Sequence, residues 1–273
     1  MLLQRLGLAE TLQYTTFVSG VEGKEDGLPT SIDPDEFARA IRNETCPCIG
    51  AAISKDIKNK IIPFVDELHE SAAAVNSVNT ITNHDQGTLV GYNTDYIGFR
   101  LAIADAVELK QCKRAVVYGY GGVSYVVCKC LESLGIAKED IFLSGRNLVK
   151  AGVRAEELGV STWAPNTEVD IFVNSAPVTD LPLEQADNLL TALLPESGPP
   201  SVIFDHEMPG KCLRDWVSSQ NRDDDSKSIT YISGYGMYYP QMKAQWKIFL
   251  RKQGPSEEEV DAALEALINE EKD

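Results

Sequence analysis

A strand, turn and helix around residue 119 does most to limit what this chain can fold into. Ala115-Val-Val-Tyr118 is a short apolar run with no polar alternation. A strand wetted on one face alternates, whereas one buried on both faces, as in a parallel sheet, does not. The run ends in Gly119-Tyr-Gly-Gly-Val-Ser124, and an apolar stripe at helical spacing follows through Val123, Val126, Val127, Cys130, Leu131 and Leu134. Further apolar runs at residues 141–143, 170–173 and 201–204 leave room for helices between them. Strands alternating with helices predict an α/β fold with a doubly wound parallel sheet.

Glycines between such a strand and helix have a chemical reading. Gly119 permits a tight turn, and Gly121 lets the backbone approach a pyrophosphate. Gly122 and Ser124 keep the helix start thin, so that the N–H groups of the first turn, Val123 among them, face an anion. Ser124 stands where a third glycine is usual. A plain strand-to-helix turn is the other reading, but the flanking elements favour a dinucleotide. An NAD site places an acid at the end of the next strand. Here Glu139-Asp140 precede the strand at 141–143 and sit at its wrong end. The far end reads Ser144-Gly-Arg-Asn147, with Lys150 beyond. Arg146 and Lys150 suit a 2′-phosphate, which favours NADP over NAD; a solvated Arg146 is the alternative.

Ahead of that unit, residues 14–18 and 48–53 read as strands. Asp33-Pro34 with Glu36 opens a helix carrying Phe37 and Ile41 inward, and residues 59–73 read as another helix. A hairpin follows, with Asn79-Thr80 entering and Asn93-Thr94-Asp95 leaving. A hairpin returns its ends to one place. The converging amides, hydroxyls and carboxylate read either as turn formers or as a grip for a polyhydroxylated ligand. Residues 99–107 are an apolar helix. The tail returns to helix at residues 239–250 and again from Pro255, with Val260, Ala263, Leu264 and Leu267 on one stripe. Residues 179–200 and 221–227 read as loops.

The 273 residues carry a formal net charge of −16. No basic nucleic-acid footprint is present, and an anionic ligand needs local Lys and Arg to draw it in. No apolar run reaches the length of about 18 residues that a membrane helix needs. The first residues are too few and too polar for a signal peptide, so a cytoplasmic protein is expected. The six cysteines read as free thiols, and with three scattered histidines they match no metal-site spacing.

Several segments, in order, resemble the shikimate dehydrogenase family, which includes quinate/shikimate dehydrogenases. Gly50-Ala-Ala-Ile-Ser-Lys-Asp-Ile-Lys58 is similar to the family's Gly-x-x-Val-Thr-x-Pro-x-Lys. Ala74-Val-Asn-Ser-Val-Asn-Thr-Ile81 resembles its Ala-Val-Asn-Thr strand, and Asn93-Thr-Asp95 with Gly98 its Asn-Thr-Asp-x-x-Gly. The glycine loop and Gly145-Arg-Asn147 resemble the NADP loop, and Val173-Asn-Ser-Ala-Pro177 the element near the nicotinamide. Gly234-Tyr-Gly-Met237 with Gln241 and Gln245 resembles the closing helix.

The resemblance implies NADP-dependent interconversion of 3-dehydroshikimate and shikimate, within aromatic amino acid biosynthesis. It places Lys58 and Asp95 in catalysis, Lys58 as proton donor and acceptor. It places Asn79, Asn93, Thr94 and Gln241 against the substrate. Cofactor contacts fall on Gly119, Gly121, Gly122, Val123, Ser124, Arg146, Lys150, Asn174, Ser175, Ala176, Gly234 and Met237. It divides the chain into a substrate domain over 1–97, a Rossmann-like NADP domain over 98–236, and helices over 237–273 that pack back on the substrate domain. The family's first strand, with a Ser-x-Ser motif for the substrate carboxylate, has no counterpart. Ser54 replaces Thr, Asp56 replaces Pro, and His206-Glu-Met-Pro209 replaces Tyr-Asn-Pro. Quinate as substrate, or an impaired ligand-binding or regulatory relative, are therefore the alternatives. A missing strand leaves a sheet edge open, so the expected state is monomer or compensating homodimer.

Overall fold

The computed structural model describes residues 1–12, 33–42, 48–53, 57–85, 87–164, 167–176, 198–208, 211–223 and 228–272. The expected strand at 14–18, Ser54, Asp56, Pro177, residues 179–197 and Pro209 lie outside them. Over the described residues the elements run α1 (Leu2–Arg5), α2 (Pro34–Arg42), β1 (Gly50–Ala52), β2 (Glu67–Leu68), α3 (Glu70–Val75), β3 (Thr80–Asp85), β4 (Thr88–Tyr92), α4 (Thr94–Leu109), β5 (Ala115–Tyr118) and α5 (Gly122–Ser133). They continue with β6 (Ile141–Ser144), α6 (Leu148–Leu158), β7 (Ser161–Thr162), β8 (Ile171–Asn174), β9 (Val202–Asp205), α7 (Lys211–Asp223), β10 (Thr230–Ile232), α8 (Gly234–Leu250) and α9 (Glu257–Lys272). The chain divides into two units, Met1–Thr94 with Met242–Asp273, and Asp95–Gln241.

The unit over 95–241 holds six parallel strands in the order β10-β9-β8-β5-β6-β7. The chain works outward from β5 to β7, returns to β8 on the other side of β5, and works outward again. This is the Rossmann order, and its switch point lies between β5 and β8. Every residue of β5, β8 and β9 is buried, as the unbroken apolar runs predict. Phe172, Ile203, Leu213 and Trp216 fill one cluster against the sheet. Phe99 of α4 meets Phe204 edge to face, with centroids 4.8 Å apart. Strands β7 and β10 are too short to show a pattern in the sequence. Backbone bonds from Trp163 N to Leu143 O and from Thr230 N to Ser201 O dock them.

The other unit holds a four-stranded sheet, β1-β3-β4-β2, mixed in direction. The expected hairpin is present: β3 and β4 pair antiparallel with a shift in register between Thr82 and Asp85. Ile81 and Leu89 face a cluster with Ile41, Ile61, Ala72 and Val78. Asp33 caps α2 as expected, its Oδ1 accepting from the N–H groups of Asp35 (2.9 Å) and Glu36 (3.1 Å). The helix expected over residues 59–73 is not one helix. A 3-10 turn covers Ile62–Phe64, Val65 is extended at φ −94 and ψ 149, and β2 follows. Pro63 lacks the N–H that a helix would use. Beyond it, β4 captures the backbone: Asp66 N donates to Leu89 O and His69 N to Gly91 O, both at 2.9 Å. Helix resumes only at α3. At the C-terminus, Ser256 and Glu259 cap α9 reciprocally (2.8 and 3.2 Å), and Leu250, Val260 and Leu264 pack with Leu2.

Candidate functional site

The switch point of the parallel sheet is built from backbone. Gly119 follows β5 with φ +125, and a Cβ there would lie 2.9 Å from the carbonyl carbon and oxygen of Ser175. Only glycine combines that φ with that approach. Its N–H donates to Ser144 O at 2.9 Å, so the ends of β5, β6 and β8 meet around it. Gly121 and Gly122 differ: a Cβ on either would meet none of the described residues within 4 Å. Packing among the described residues therefore does not demand them, and those residues leave the start of α5 uncovered. Gly121 is the N-cap residue and no side chain caps the helix. Ser124 is turned inward, its Oγ donating to Gly121 O at 2.6 Å. A helix start without a side-chain cap presents N–H groups and the positive end of the helix dipole.

Two buried hydroxyls flank this turn without a partner among the described residues, Ser144 Oγ and Ser175 Oγ. Buried polar atoms are nearly always satisfied, so an orphaned pair beside an open glycine turn fits a polar ligand such as a dinucleotide. At the end of β6, Arg146 and Lys150 are exposed, and neither makes an ion pair among the described residues. Asn147 Oδ1 caps α6 by accepting from Lys150 N at 3.0 Å. Glu139 and Asp140 lie in the 3-10 turn before β6, where Asp140 pairs with Arg114 at 3.1 Å. No acidic residue falls between Asp140 and Glu156 in the sequence, so none adjoins Arg146 along the chain.

A buried polar network backs the ends of β8 and β9. Asp205 is 1% exposed and Asn174 is fully buried. Asp205 Oδ1 accepts from Asn174 Nδ2 at 2.8 Å and from Glu207 N at 3.2 Å, and its Oδ2 from the Tyr231 hydroxyl at 3.4 Å. Asn174 Oδ1 in turn accepts from Ala176 N at 3.1 Å, which fixes the chain as it leaves β8. Burial pushes the Asp205 carboxyl above its ordinary range, and the bonds from Asn174, Glu207 and Tyr231 pull it back. Tyr231 is pushed up by burial and by the adjacent Asp205 charge. Sequence reasoning missed Asp205 and Tyr231. Nothing local marks a pair of side chains that meet only because their strands are neighbours.

In the same unit, Gly98 of α4 lies against α8: a Cβ would come within 2.6 Å of Met237 O and 2.8 Å of Gln241 Cβ. Met237 is buried at 5% exposure, and Gln241 is half-buried. Gly234 opens α8 where a Cβ would meet His206 O at 2.7 Å. Asp95 is half-buried in the first turn of α4.

The hairpin unit gathers Asn79, Thr80, Asn93 and Thr94, all buried. Asn79 N bonds Tyr92 O at 2.9 Å, so the two Asn-Thr pairs do meet. Asn79 Oδ1 accepts from Thr94 N (2.7 Å), Thr94 Oγ1 (3.2 Å) and Thr80 Oγ1 (3.0 Å). Thr80 Oγ1 accepts in turn from Gln245 Nε2 at 2.9 Å. Asn93 Nδ2 donates to Ser77 O at 2.9 Å, and Asn93 N to Ser71 Oγ at 3.1 Å. The Asn79 carbonyl is thus spent on the start of α4. Its NH₂ makes no bond among the described residues, so toward a ligand Asn79 has only donors to offer. Lys58 is half-buried, and its carbonyl accepts from Val78 N at 2.9 Å, one residue before Asn79. Lys58, Asn79, Asn93 and Thr94 thus share one unit, while Asp95, Gln241 and the residues expected at a cofactor belong to the other.

No family model matches the chain. A shikimate dehydrogenase-like protein of Haemophilus influenzae is 35% identical over 127 residues, covering 46% of this chain and 45% of that protein. A shikimate dehydrogenase (NADP(+)) of Streptococcus mutans is 27% identical over 223 residues, 77% of this chain and 74% of that one. The chain spans about half the length of the first curated relatives it matches, at 45%, 52% and 56%. The solved structure of a shikimate 5-dehydrogenase-like protein superposes with a TM-score of 0.63 at 28% identity, covering 85% of this chain and 82% of that one. The Thermus thermophilus shikimate 5-dehydrogenase, solved with NADP(H) and shikimate, has the same fold, with a TM-score of 0.60 at 22% identity over 85% and 83% of the chains.

Proposed function

With the chain a relative of the shikimate dehydrogenases, we propose that it is an NADP-dependent oxidoreductase interconverting 3-dehydroshikimate and shikimate. The observation that carries the reading is the open, uncapped start of α5 at the sheet's switch point, with Arg146 and Lys150 unopposed at the end of β6. The first-turn N–H groups of α5, at Gly122 and Val123, take the pyrophosphate. Arg146 and Lys150 take the 2′-phosphate, and Ser144 and Ser175 supply hydroxyls at the crevice floor. Asn174 and Ala176 shape the wall by the nicotinamide, with Gly234 and Met237 on the closing helix. The bound cofactor supplies the hydride.

Reduction adds that hydride to the ketone carbon and leaves an alkoxide, which needs a proton and nearby positive charge. The Lys58 ammonium gives the proton to the oxygen and takes it back in the reverse direction. Asp95 is the carboxylate assigned to orient that ammonium. The Asn79 NH₂ donates to a ring oxygen, held rigid because its carbonyl is fully engaged, and Gln241 takes a second hydroxyl. Thr94 holds Asn79 in place, and Asn93 is tied to Ser71 and Ser77 beside it. Residues 1–94 with 242–273 serve as the substrate unit and residues 95–241 as the cofactor unit. The protein works in the cytoplasm, as monomer or homodimer, where its cysteines remain thiols.

The test is a turnover assay with shikimate and with quinate, each with NADP and with NAD. The expected result is NADP-dependent oxidation of shikimate, lost by about 10²–10⁴-fold in Lys58→Ala. Tighter NADH than NADPH sinks the cofactor assignment, and full activity in Lys58→Ala sinks the proton donor. Quinate turnover without shikimate turnover selects the sister activity. Binding without turnover of either marks a ligand-binding relative.

A further inference from the structure

The hairpin sheet has a second face that the reaction does not use. Strand alternation sends Ile81 and Leu89 to the core cluster, and Thr82, His84, Thr88, Val90 and Tyr92 to the opposite side. The end of α8 covers part of that side: Gln245 bonds Thr80, and His84 Nε2 lies 2.7 Å from Ile248 O. Past the helix end a concavity of about 270 Å³ remains, bounded by β2, β3, β4 and residues 251–252. None of the residues proposed for substrate or cofactor lines it.

Its charge runs against the rest of the chain. The protein carries 41 acids against 25 lysines and arginines, and only three histidines. Two of those histidines, His69 and His84, line this one concavity together with Arg251 and Lys252, against a single carboxylate, Glu67. The Arg251 guanidinium makes no hydrogen bond or ion pair among the described residues. The histidines are held in defined roles. His69 Nδ1 accepts from Ser71 N at 3.2 Å, so the ring proton of the neutral form sits on Nε2 as a donor. That ring stacks on Tyr92 at 4.8 Å. A carbonyl only accepts, so His84 Nε2 donates to Ile248 O, and Nδ1 is left as an acceptor. Neither leftover nitrogen is among the buried atoms without a partner, so both reach solvent.

We propose that this concavity is a second ligand site, taking a small phosphate-type oxyanion. A hydrogen phosphate group carries what the lining lacks: oxygens to accept from His69 Nε2, Arg251 and the Thr88 and Tyr92 hydroxyls, and one P–OH to donate to His84 Nδ1. A carboxylate offers no such donor. The volume, near the lower end of ligand pockets at roughly 300 Å³, admits the phosphate and a small organic body.

The probe is inorganic phosphate, followed through the histidine ring resonances of the full chain by NMR at constant ionic strength. The chain's three histidines make the spectrum assignable by single His→Asn variants. His206, just after β9 in the other unit, serves as the internal control. His69 and His84 are expected to shift together and saturably at about millimolar phosphate. The double variant Arg251→Ala/Lys252→Ala, in which both side chains are exposed, should weaken that apparent Kd by about tenfold. Its melting curve and the His206 response should not change. Absence of shifts at His69 and His84, non-saturating shifts, or an unchanged Kd in the double variant overturns the proposal. Because the readout needs neither turnover nor cofactor, it stands or falls separately from the enzymatic reading.

Discussion

Asn174→Ala tests whether a buried carboxylate is being held in place at the ends of β8 and β9. The amide donates to Asp205 Oδ1 at 2.8 Å and accepts from Ala176 N at 3.1 Å, with both side chains sealed from water. A hydrogen bond to a charged group contributes about 1.5–3 kcal/mol and a neutral one about 0.5–1.5 kcal/mol, so alanine should cost about 2–4 kcal/mol. For a unit of this size that lowers the melting midpoint by roughly 5–12 °C. The loss should also depend on pH. Burial raises the Asp205 carboxyl above its ordinary range, and Asn174 heads the bonds that pull it back, so removing Asn174 raises it further. Between the unfolded and folded values the native state then binds more protons than the unfolded state, and stability falls as pH rises through that window. Thermal melts of variant and parent at about pH 4.5 and 7.5 should therefore show a larger deficit at the higher pH. A variant melting with the parent, or an equal deficit at both values, refutes the argument.

The glycines separate packing from binding. Gly121→Ala adds a Cβ that meets none of the described residues, so the melting midpoint should stay within about 2 °C while NADPH affinity falls. Gly119→Ala meets Ser175 at 2.9 Å with φ +125 and should lose about 1–3 kcal/mol of stability in denaturant melts. Gly98→Ala presses on the backbone of α8 at Met237 and should cost about 1–2 kcal/mol, the clash exceeding the gain in helix propensity. Arg146→Ala should raise the NADPH Kd by about 10–100-fold and leave NADH nearly unchanged in fluorescence titrations.

The parts legible in the sequence were those that local rules determine. Strands β5, β6, β8 and β9 are buried on both faces, so they read as apolar runs whatever lies beside them. The glycine turn was legible because its backbone needs are local. Helix α6 was legible and overlooked: Asn147 caps its start, Gly159 closes it at φ +68, and Ala151, Ala155 and Leu158 line its inner face. The failure over residues 59–73 has a different cause. Ile62, Val65 and Leu68 keep helical spacing, but that spacing cannot report that β4 offers a free edge to Asp66 and His69. Tertiary pairing overrode a weak local preference, as it does wherever a proline has already weakened the helix.

At the hairpin, the residue types left two roles open. Asn, Thr and Asp are what a turn needs and also what a sugar-like ligand needs. The choice is made by partners far apart in the chain. Gln245 reaches Thr80, Thr80 reaches Asn79, and Thr94 closes on the same oxygen from the start of α4. Three donors on one amide oxygen leave it no capacity, and they fix the plane of the amide. The two readings of the sequence are therefore not rivals. The carbonyl of Asn79 serves the fold, and under the proposed function the fixed amide plane would aim its NH₂ at a ligand without a further entropic cost on binding. Gln245 is the residue on which this depends at the greatest sequence distance, so its loss should loosen ligand recognition without removing any group that touches ligand.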